Sequence, residues 1–274
     1  MKVKANAKIN LYLKVLGKNE TGYHDLDSLM VPIDLYDYIE IENGDSDEII
    51  GMDIPMKSNL IYKAVELLRN KYNISKSIKI KIEKNIPSFA GLGGGSSDAA
   101  ATLKALNELW ELNITTEELL NLASEIGSDV PFFIINKPAI IGGRGEKITP
   151  VEIKSCSGVL IFDNYKFSTK DVFANMKKYS EPYQNIVTIK DGKNVIEDYY
   201  SLVTNDMEEG ITIYKESTEI TKQKDLLLGC GAINASMSGS GSSVFGLFES
   251  DKIDSAYSLI KDKYKNVWKF KILL

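Results

Sequence analysis

The stretch Pro87-Ser88-Phe89-Ala90-Gly91-Leu92-Gly93-Gly94-Gly95-Ser96-Ser97 sets a glycine-dense loop between two patterned segments. Before it, Ile78, Ile80 and Ile82 alternate with Lys79, Lys81 and Glu83, the period of a strand with one buried face. After it, Ala99, Leu103, Leu106 and Trp110 recur at helical spacing, with Ser97 and Asp98 available for the first turn. A helix start leaves its first N–H groups unpaired and carries partial positive charge, so glycines there let an anion reach the bare backbone. The placement predicts a phosphate cradle. A Walker loop is excluded because Gly95 is followed by serines and no lysine, and the dinucleotide fingerprint fails because Ser96 stands where its last glycine belongs. The bland alternatives are a Gly/Ser linker or a structural turn, although linkers rarely join a patterned strand directly to a patterned helix.

Composition narrows the partners. The 274 residues, 43% of them hydrophobic, suffice for about one or two globular domains. A net charge of -5 and a pI near 5.2, with lysines dispersed among acids, give no global attraction to nucleic acid. Cys156 and Cys230 are too few and too far apart for a disulfide framework or a metal cluster, and His24 is the only histidine. A zinc enzyme and a Ser-His-Asp hydrolase built on any other histidine are therefore disfavoured. The chain opens directly into the alternation of Val3, Ala5, Ala7, Ile9, Leu11 and Leu13 with polar residues, and no apolar run approaches membrane length. Cytoplasmic residence without membrane attachment is the expectation.

Along the chain, strand patterns near 2–16, 28–33, 36–43 and 77–83 interleave with helical ones near 59–71, 97–110 and 116–126. A second series starts near Ser157: a strand at 158–162, helices near 168–178, 195–206 and 212–227, strands near 232–237 and 243–249, a helix from Ile253 to Tyr264 and a last strand at 267–273. The layout predicts an α+β protein. The turn-rich segments around Asn136 and Gly142–Gly145 put a domain boundary at about 150, giving domains 1–150 and 151–274.

Three further segments join the loop: Ala7-Lys-Ile-Asn-Leu-Tyr-Leu13 with Gly22-Tyr-His24, Gly127-Ser-Asp-Val-Pro-Phe132, and Ser238-Gly-Ser-Gly-Ser-Ser243. Together they resemble the three motifs of the superfamily named for galactokinase, homoserine kinase, mevalonate kinase and phosphomevalonate kinase (GHMP). The closest likeness is to its 4-diphosphocytidyl-2-C-methyl-D-erythritol kinases, and it runs from Lys4 to about Phe248, with further matches at Asn59–Ala64, Gly143–Glu146 and Asn205-Asp206. Ser88-Phe89 departs from the family, whose loops more often carry small or flexible residues there.

The resemblance implies a two-domain fold, with an N-terminal mixed α/β ATP-binding domain and a C-terminal ferredoxin-like domain on the substrate side. It implies transfer of the γ-phosphoryl group of ATP to the 2-hydroxyl of the diphosphocytidyl acceptor, in the non-mevalonate route to isoprenoid precursors. Pro87–Ser97 would wrap the ATP phosphates, and Asn59 would meet the adenine, its alternative being an N-cap of the following helix. Asp129 would orient the acceptor hydroxyl and accept its proton late, although by itself it reads as an N-cap ahead of Val130-Pro131. Lys8, otherwise a solvated strand lysine, would partner Asp129 and offset charge on the phosphoryl group. Tyr23, His24 and Phe173 would clamp the cytosine, Asn10 would contact the methylerythritol portion, and Gly239, Ser240 and Gly241 would bring a second glycine turn to the substrate. Taken alone, Phe173 reads equally as core and Gly239 and Gly241 as a hairpin turn. Magnesium is expected with ATP, with no ligand identifiable, and no obligatory protein partner is expected. Arg144 is left outside the site. The rival functions are another kinase of the superfamily, acting on homoserine or mevalonate, and a catalytically silent nucleotide-binding regulator.

Overall fold

A computed structural model of the chain describes residues 1–20, 22–52, 54–55 and 58–274. The chain divides into two compact units. The first comprises Met1–Ala7, Leu35–Ser88 and Gly93–Asn136, the second Lys8–Asp34, Phe89–Leu92 and Lys137–Leu274.

Strand β1 (Lys2–Lys18) starts in the first unit and β2 (His24–Gly44) ends in it. Strand β3 (Glu48–Ile50), helix α1 (Leu60–Tyr72), strand β4 (Ser77–Glu83) and helices α2 (Gly94–Leu109), α3 (Thr116–Ile126) and α4 (Val130–Ile135) complete it. The alternation read at residues 78–83 sets the sheet: β4 pairs antiparallel with β2, bringing Ile39 opposite Ile82 and Ile41 opposite Ile80. All four are buried, and β3 runs parallel on the other edge of β4. Helix α1 buries Ile61, Ala64, Val65 and Leu68 and packs on α2, which also packs on α3 and α4. The start of α3 is fixed by Thr115, whose hydroxyl accepts the amide of Glu118 at 3.2 Å.

The second unit contains strands β5 (Ala139–Gly143), β6 (Lys147–Pro150), β7 (Ser157–Ile161), β8 (Thr188–Lys190), β9 (Lys193–Val195), β10 (Thr204–Asn205), β11 (Asn234–Met237), β12 (Val244–Phe248) and β13 (Val267–Lys271). Its helices are α5 (Thr169–Asn175), α6 (Met207–Gly210), α7 (Ser217–Gly229) and α8 (Ile253–Lys261). An antiparallel sheet in the order β11-β12-β7-β13 is crossed by α7 between β7 and β11 and by α8 between β12 and β13. That βαββαβ succession is the expected ferredoxin-like arrangement. Val159, Ile161, Val244, Leu227 and Ile260 lie in its core. Within the same unit, Leu26–Met30 of β2 pair with β5, and Tyr12 and Leu13 of β1 lie beside β10.

Several local expectations change. Residues 195–206 do not form one helix: β9 ends at Val195, a 3-10 turn covers Tyr200–Leu202 and β10 follows. There the Asp198 carboxylate accepts the amides of Tyr200 and Ser201 at 3.0 and 3.3 Å, a local competitor to helix. The glycine-rich turn at 142–145 closes a β5–β6 hairpin. Helix α2 starts at Gly94, three residues early, and α5 is shorter than the 168–178 read for it. Among the described residues, no helix is long and apolar enough to cross a membrane.

Candidate active site

In the first unit the glycine loop runs into α2 through Gly93, which takes the left-handed conformation (φ 70°) at the N-cap and provides no side-chain cap. Gly94 and Gly95 open the helix, Ser96 follows half-buried and Ser97 is buried. Asp98 does not cap this turn; its carboxylate accepts a bond from Lys84 Nζ at 2.6 Å. The first amides of a 16-residue helix thus face a glycine-lined approach without a side-chain cap, which suits an anion. A Cβ at Gly95 would meet nothing nearer than Leu60 Cδ1 at 3.8 Å, whereas one at Gly94 would lie 3.0 Å from Ile86 Cγ2.

Pro87 and Ser88 close the strand side of this unit's loop, half-buried and exposed respectively. Asn59 is buried, and its side-chain oxygen accepts the Ile61 amide at 2.9 Å as the N-cap of α1. Asp129 stands half-buried immediately before α4. It occupies the N-cap position of α4, as its alternative reading has it, but its carboxylate makes no capping bond to that helix.

The second unit holds the rest of the predicted residues. Lys8 and Asn10 share one side of β1, yet both are buried, because the strand is covered from Ala5 to Leu13. The alternative reading of Lys8 as a solvated strand lysine is overturned by that burial. Lys8 Nζ donates to Asn10 Oδ1 at 2.6 Å, Asn10 Nδ2 to Ser28 Oγ at 2.8 Å, and Ser28 Oγ to the Tyr12 carbonyl at 2.6 Å. Each donation fixes the next side chain, so the ammonium is held at one end of an ordered polar chain.

Residues Phe89–Leu92 are laced to the Ser238–Ser243 turn. Ser238 Oγ donates to the Gly91 carbonyl at 3.0 Å and accepts the Asn10 amide at 3.3 Å, and the Ser243 amide donates to the Ala90 carbonyl at 3.1 Å. The Lys8 amide in turn donates to the Leu92 carbonyl at 3.0 Å. Gly91 (φ 74°) leaves no room for a side chain: a Cβ there would lie 1.9 Å from the Ser238 carbonyl oxygen. A Cβ at Gly239 would sit 3.4 Å from Lys8 Nζ, so this backbone borders the ammonium. Asn205 Nδ2 steadies the turn by donating to Met237 and Gly239 carbonyls, both at 2.8 Å. Ser240 and Thr169 hydroxyls lie 2.8 Å apart, joining the turn to the start of α5, and Gly241 is walled by Met237 and Phe167.

Helix α5 carries Phe173, whose ring stacks on His24 with centroids 4.5 Å apart and planes 9° apart. Tyr179 adds a tilted ring 5.9 Å from the imidazole. His24 Nε2 is buried without a hydrogen-bond partner. Burial, and secondarily the charge of Lys18, hold the imidazole below its ordinary pKa, so the ring is neutral at pH 7. Tyr23 is not part of the stack: the residue is 56% exposed and its ring lies under the Arg144 guanidinium at 3.9 Å. Phe89 is exposed at φ 57°, with Lys166 Nζ 5.2 Å from its ring centre.

Sequence reasoning missed Ser28, Tyr179 and the bracing role of Asn205. Asn205-Asp206 was visible as a motif match, but Tyr179 lies in an irregular segment with no period to flag it. Among the described residues, no three His, Cys, Asp or Glu side chains gather as a metal site.

The GHMP kinases N terminal domain matches residues 59–137 and the GHMP kinases C terminal domain residues 194–266. A 4-diphosphocytidyl-2-C-methyl-D-erythritol kinase of Clostridium botulinum (strain Langeland / NCTC 10281 / Type F) is 44% identical, with 97% of each chain covered. One from Clostridioides difficile (strain 630) is 41% identical over 98% of this chain and 94% of its own. A crystal structure of 4-(cytidine 5'-diphospho)-2C-methyl-D-erythritol kinase superposes with a TM-score of 0.84 at 29% identity, covering 99% of each chain. The Methanococcus jannaschii mevalonate kinase, at 16% identity and TM-score 0.68 over 100% of this chain and 98% of its own, shares the fold.

Proposed function

We propose that this chain, which belongs to the GHMP kinases and within them to the 4-diphosphocytidyl-2-C-methyl-D-erythritol kinase family, phosphorylates that acceptor. The γ-phosphoryl group of ATP goes to the 2-hydroxyl, giving the 2-phosphate and ADP, a step of non-mevalonate isoprenoid precursor synthesis. The observation that carries the acceptor is the buried, unpartnered Nε2 of His24, on a ring stacked against Phe173. A neutral imidazole edge beside aromatic faces suits a base with a donor–acceptor edge and a stacking surface.

In this reading Gly93–Ser97 present the α2 amides to the polyphosphate, with Pro87–Leu92 completing the loop. The Asn59 oxygen accepts the Ile61 amide and its Nδ2 donates one hydrogen to Met52 Sδ at 3.7 Å, which leaves the second amide hydrogen for adenine. Lys8, fixed through Asn10 and Ser28, offsets charge on the transferring phosphoryl group. Asp129 orients the hydroxyl. A carboxylate is a weak base toward an alcohol, suited to accepting the proton late in a loose transition state. Asn10 contacts the methylerythritol portion, Tyr23 supplies an outer ring to the cytidine end, and Gly239–Gly241 border the substrate. The division of labour proposed with these roles is an ATP-binding domain over 1–150 and a substrate-side domain over 151–274. Magnesium is proposed to accompany the triphosphate and screen its charge, with no protein ligand assigned. Small molecules as the only obligatory partners, and a cytoplasmic location, belong to the same proposal.

The test is ADP release by the purified chain with the diphosphocytidyl acceptor, homoserine and mevalonate in parallel. ADP formation with the first alone is expected. Turnover of either other alcohol at a comparable rate, or ATP binding without turnover of any, would replace this reading with one of its rivals.

A further inference from the structure

Lys84 follows the last residue of β4 and precedes the glycine loop by three positions. Its ammonium bonds two carboxylates whose side chains are fully buried, those of Asp37 and Asp98. Asp37 also holds the backbone: its Oδ1 accepts the amides of Asn85 at 2.6 Å and Ile86 at 2.8 Å, the residues that lead into Pro87. Asp98 lies beyond the loop, in the second turn of α2, and receives Lys84 Nζ on Oδ2 at 2.6 Å. Asp98 Oδ1 is buried without a hydrogen-bond partner. The same neighbourhood touches the loop directly, since a Cβ at Gly94 would meet Ile86 Cγ2 at 3.0 Å and Lys84 Nζ at 3.5 Å.

One cation between two buried anions is a poor device for stability alone. Desolvating three charges is costly, and apolar packing of similar volume often does better. The cluster is also unevenly satisfied. Burial, and to a smaller extent the charge of Asp37, hold Asp98 above the ordinary carboxylate range against the pull of Lys84. Burial lowers the Lys84 pKa, yet the two carboxylates outweigh it and leave the ammonium firmly charged. What the cluster does achieve is geometric. A single flexible ammonium joins the segment that begins the loop to the helix that ends it.

We propose that Lys84 is a positioning residue for ATP binding: through Asp37 and Asp98 it fixes the two ends of the glycine loop so that the α2 amides meet the polyphosphate. The inference rests on the reading of that loop as the ATP phosphate site. It assigns Lys84 no contact with ATP or with the acceptor.

The experiment measures ATP dissociation constants without acceptor, both KM values, kcat, melting temperature and hydrogen exchange of peptides covering Asn85 and Ile86. The proteins are wild type, Lys84→Met, Lys84→Arg, Asp98→Asn and Gly95→Ala. In Lys84→Met the ATP dissociation constant should rise about tenfold, the scale of one charged hydrogen bond, with acceptor KM within about twofold of wild type. The Asn85–Ile86 amides should exchange faster, and Lys84→Arg should recover most of the ATP affinity. Should Lys84→Met fail to fold, Asp98→Asn carries the test, with a rise of about threefold or more expected from the weakened grip on Lys84. ATP affinity within twofold of wild type in the folded variant overturns the proposal, whatever the melting temperature does. Equal loss of ATP and acceptor affinity also overturns it. Gly95→Ala separates the two levels: if it weakens ATP while the Lys84 and Asp98 variants do not, only the positioning role falls. If Gly95→Ala also leaves ATP binding unchanged, the phosphate-loop reading falls with it.

Discussion

His24 lies flat on Phe173, with ring centroids 4.5 Å and planes 9° apart, and its buried Nε2 has no hydrogen-bond partner. In the proposed function this pair is the surface that meets the base, and Nε2 is the polar atom that reads its edge. Removing Phe173 or His24 should therefore weaken the diphosphocytidyl acceptor far more than ATP. Loss of a stacking partner costs ~1–3 kcal/mol, so Phe173→Ala should lower acceptor affinity by roughly five- to 150-fold. His24→Ala should also relax discrimination between cytidine and uridine acceptors, because no fixed polar atom is left unpaired by the wrong base. Tyr23→Ala should have a smaller effect, its ring lying under Arg144 outside the stack. Titration of both acceptors into the three variants checks this; equal binding in all would remove the clamp.

The same imidazole predicts a pH limb. Burial first, then Lys18, lower its pKa in the folded chain, so the unfolded chain binds the proton more readily. The neutral ring is favoured above the ordinary imidazole value near ~6.5, and that advantage is lost as pH falls through the lowered folded value. Acceptor affinity should thus hold from pH 8 down through the ordinary imidazole value and fall only as pH drops through the lowered value of the folded ring. A His24→Gln protein should lack that limb. An identical acid limb in both proteins would assign it to another group.

Asp129 and Lys8 are proposed to act during transfer, so their loss should appear in kcat. Asp129→Asn should cost roughly a hundred- to ten-thousand-fold in kcat with ATP and acceptor binding largely kept. Lys8→Met keeps an apolar stem in a buried place and should lower kcat by roughly a hundred-fold or more. If Lys8→Met lowers the melting temperature but keeps full turnover, the lysine is structural.

Glycines in the loop should separate into two kinds. Gly95→Ala has space in the protein and tests only the approach of phosphate: ATP affinity should drop with an unchanged melting temperature. Gly91→Ala has neither the space nor an accessible φ, and should destabilise the fold by about 1–3 kcal/mol or more. Thermal melts with nucleotide titrations check both. A destabilised Gly95→Ala would mean that the helix start is packed where the structure leaves it open.

Legibility in the sequence followed locality. Helix α3 runs over 116–126 as read, because its cap, Thr115, and the bonded Glu118 are adjacent in the chain. The strand at 77–83 carried its period in side chains that alternate between a buried and an exposed face of its sheet. Where partners are distant, the signal disappears. Residues 195–206 look helical, but Asn205 sends its amide to Met237 and Gly239, more than thirty positions away. Lys8 reads as a surface lysine because the cover over its side of β1 is not visible in the strand itself. Asp98 reads as part of a first turn, while the charge that claims it is fourteen residues upstream on Lys84. The glycine motifs were legible as motifs; their lacing through Ser238 and Gly91 was not.

The central proposal is that this chain moves a phosphoryl group from ATP to one hydroxyl of a cytidine-tagged tetritol. Phosphorus NMR of the purified chain with ATP, magnesium and 4-diphosphocytidyl-2-C-methyl-D-erythritol decides it. One new phosphomonoester on the 2-position is expected for each ADP formed, with the diphosphate bridge intact. ATP left unconsumed, ADP formed with free phosphate only, or a phosphomonoester at another hydroxyl would contradict that assignment.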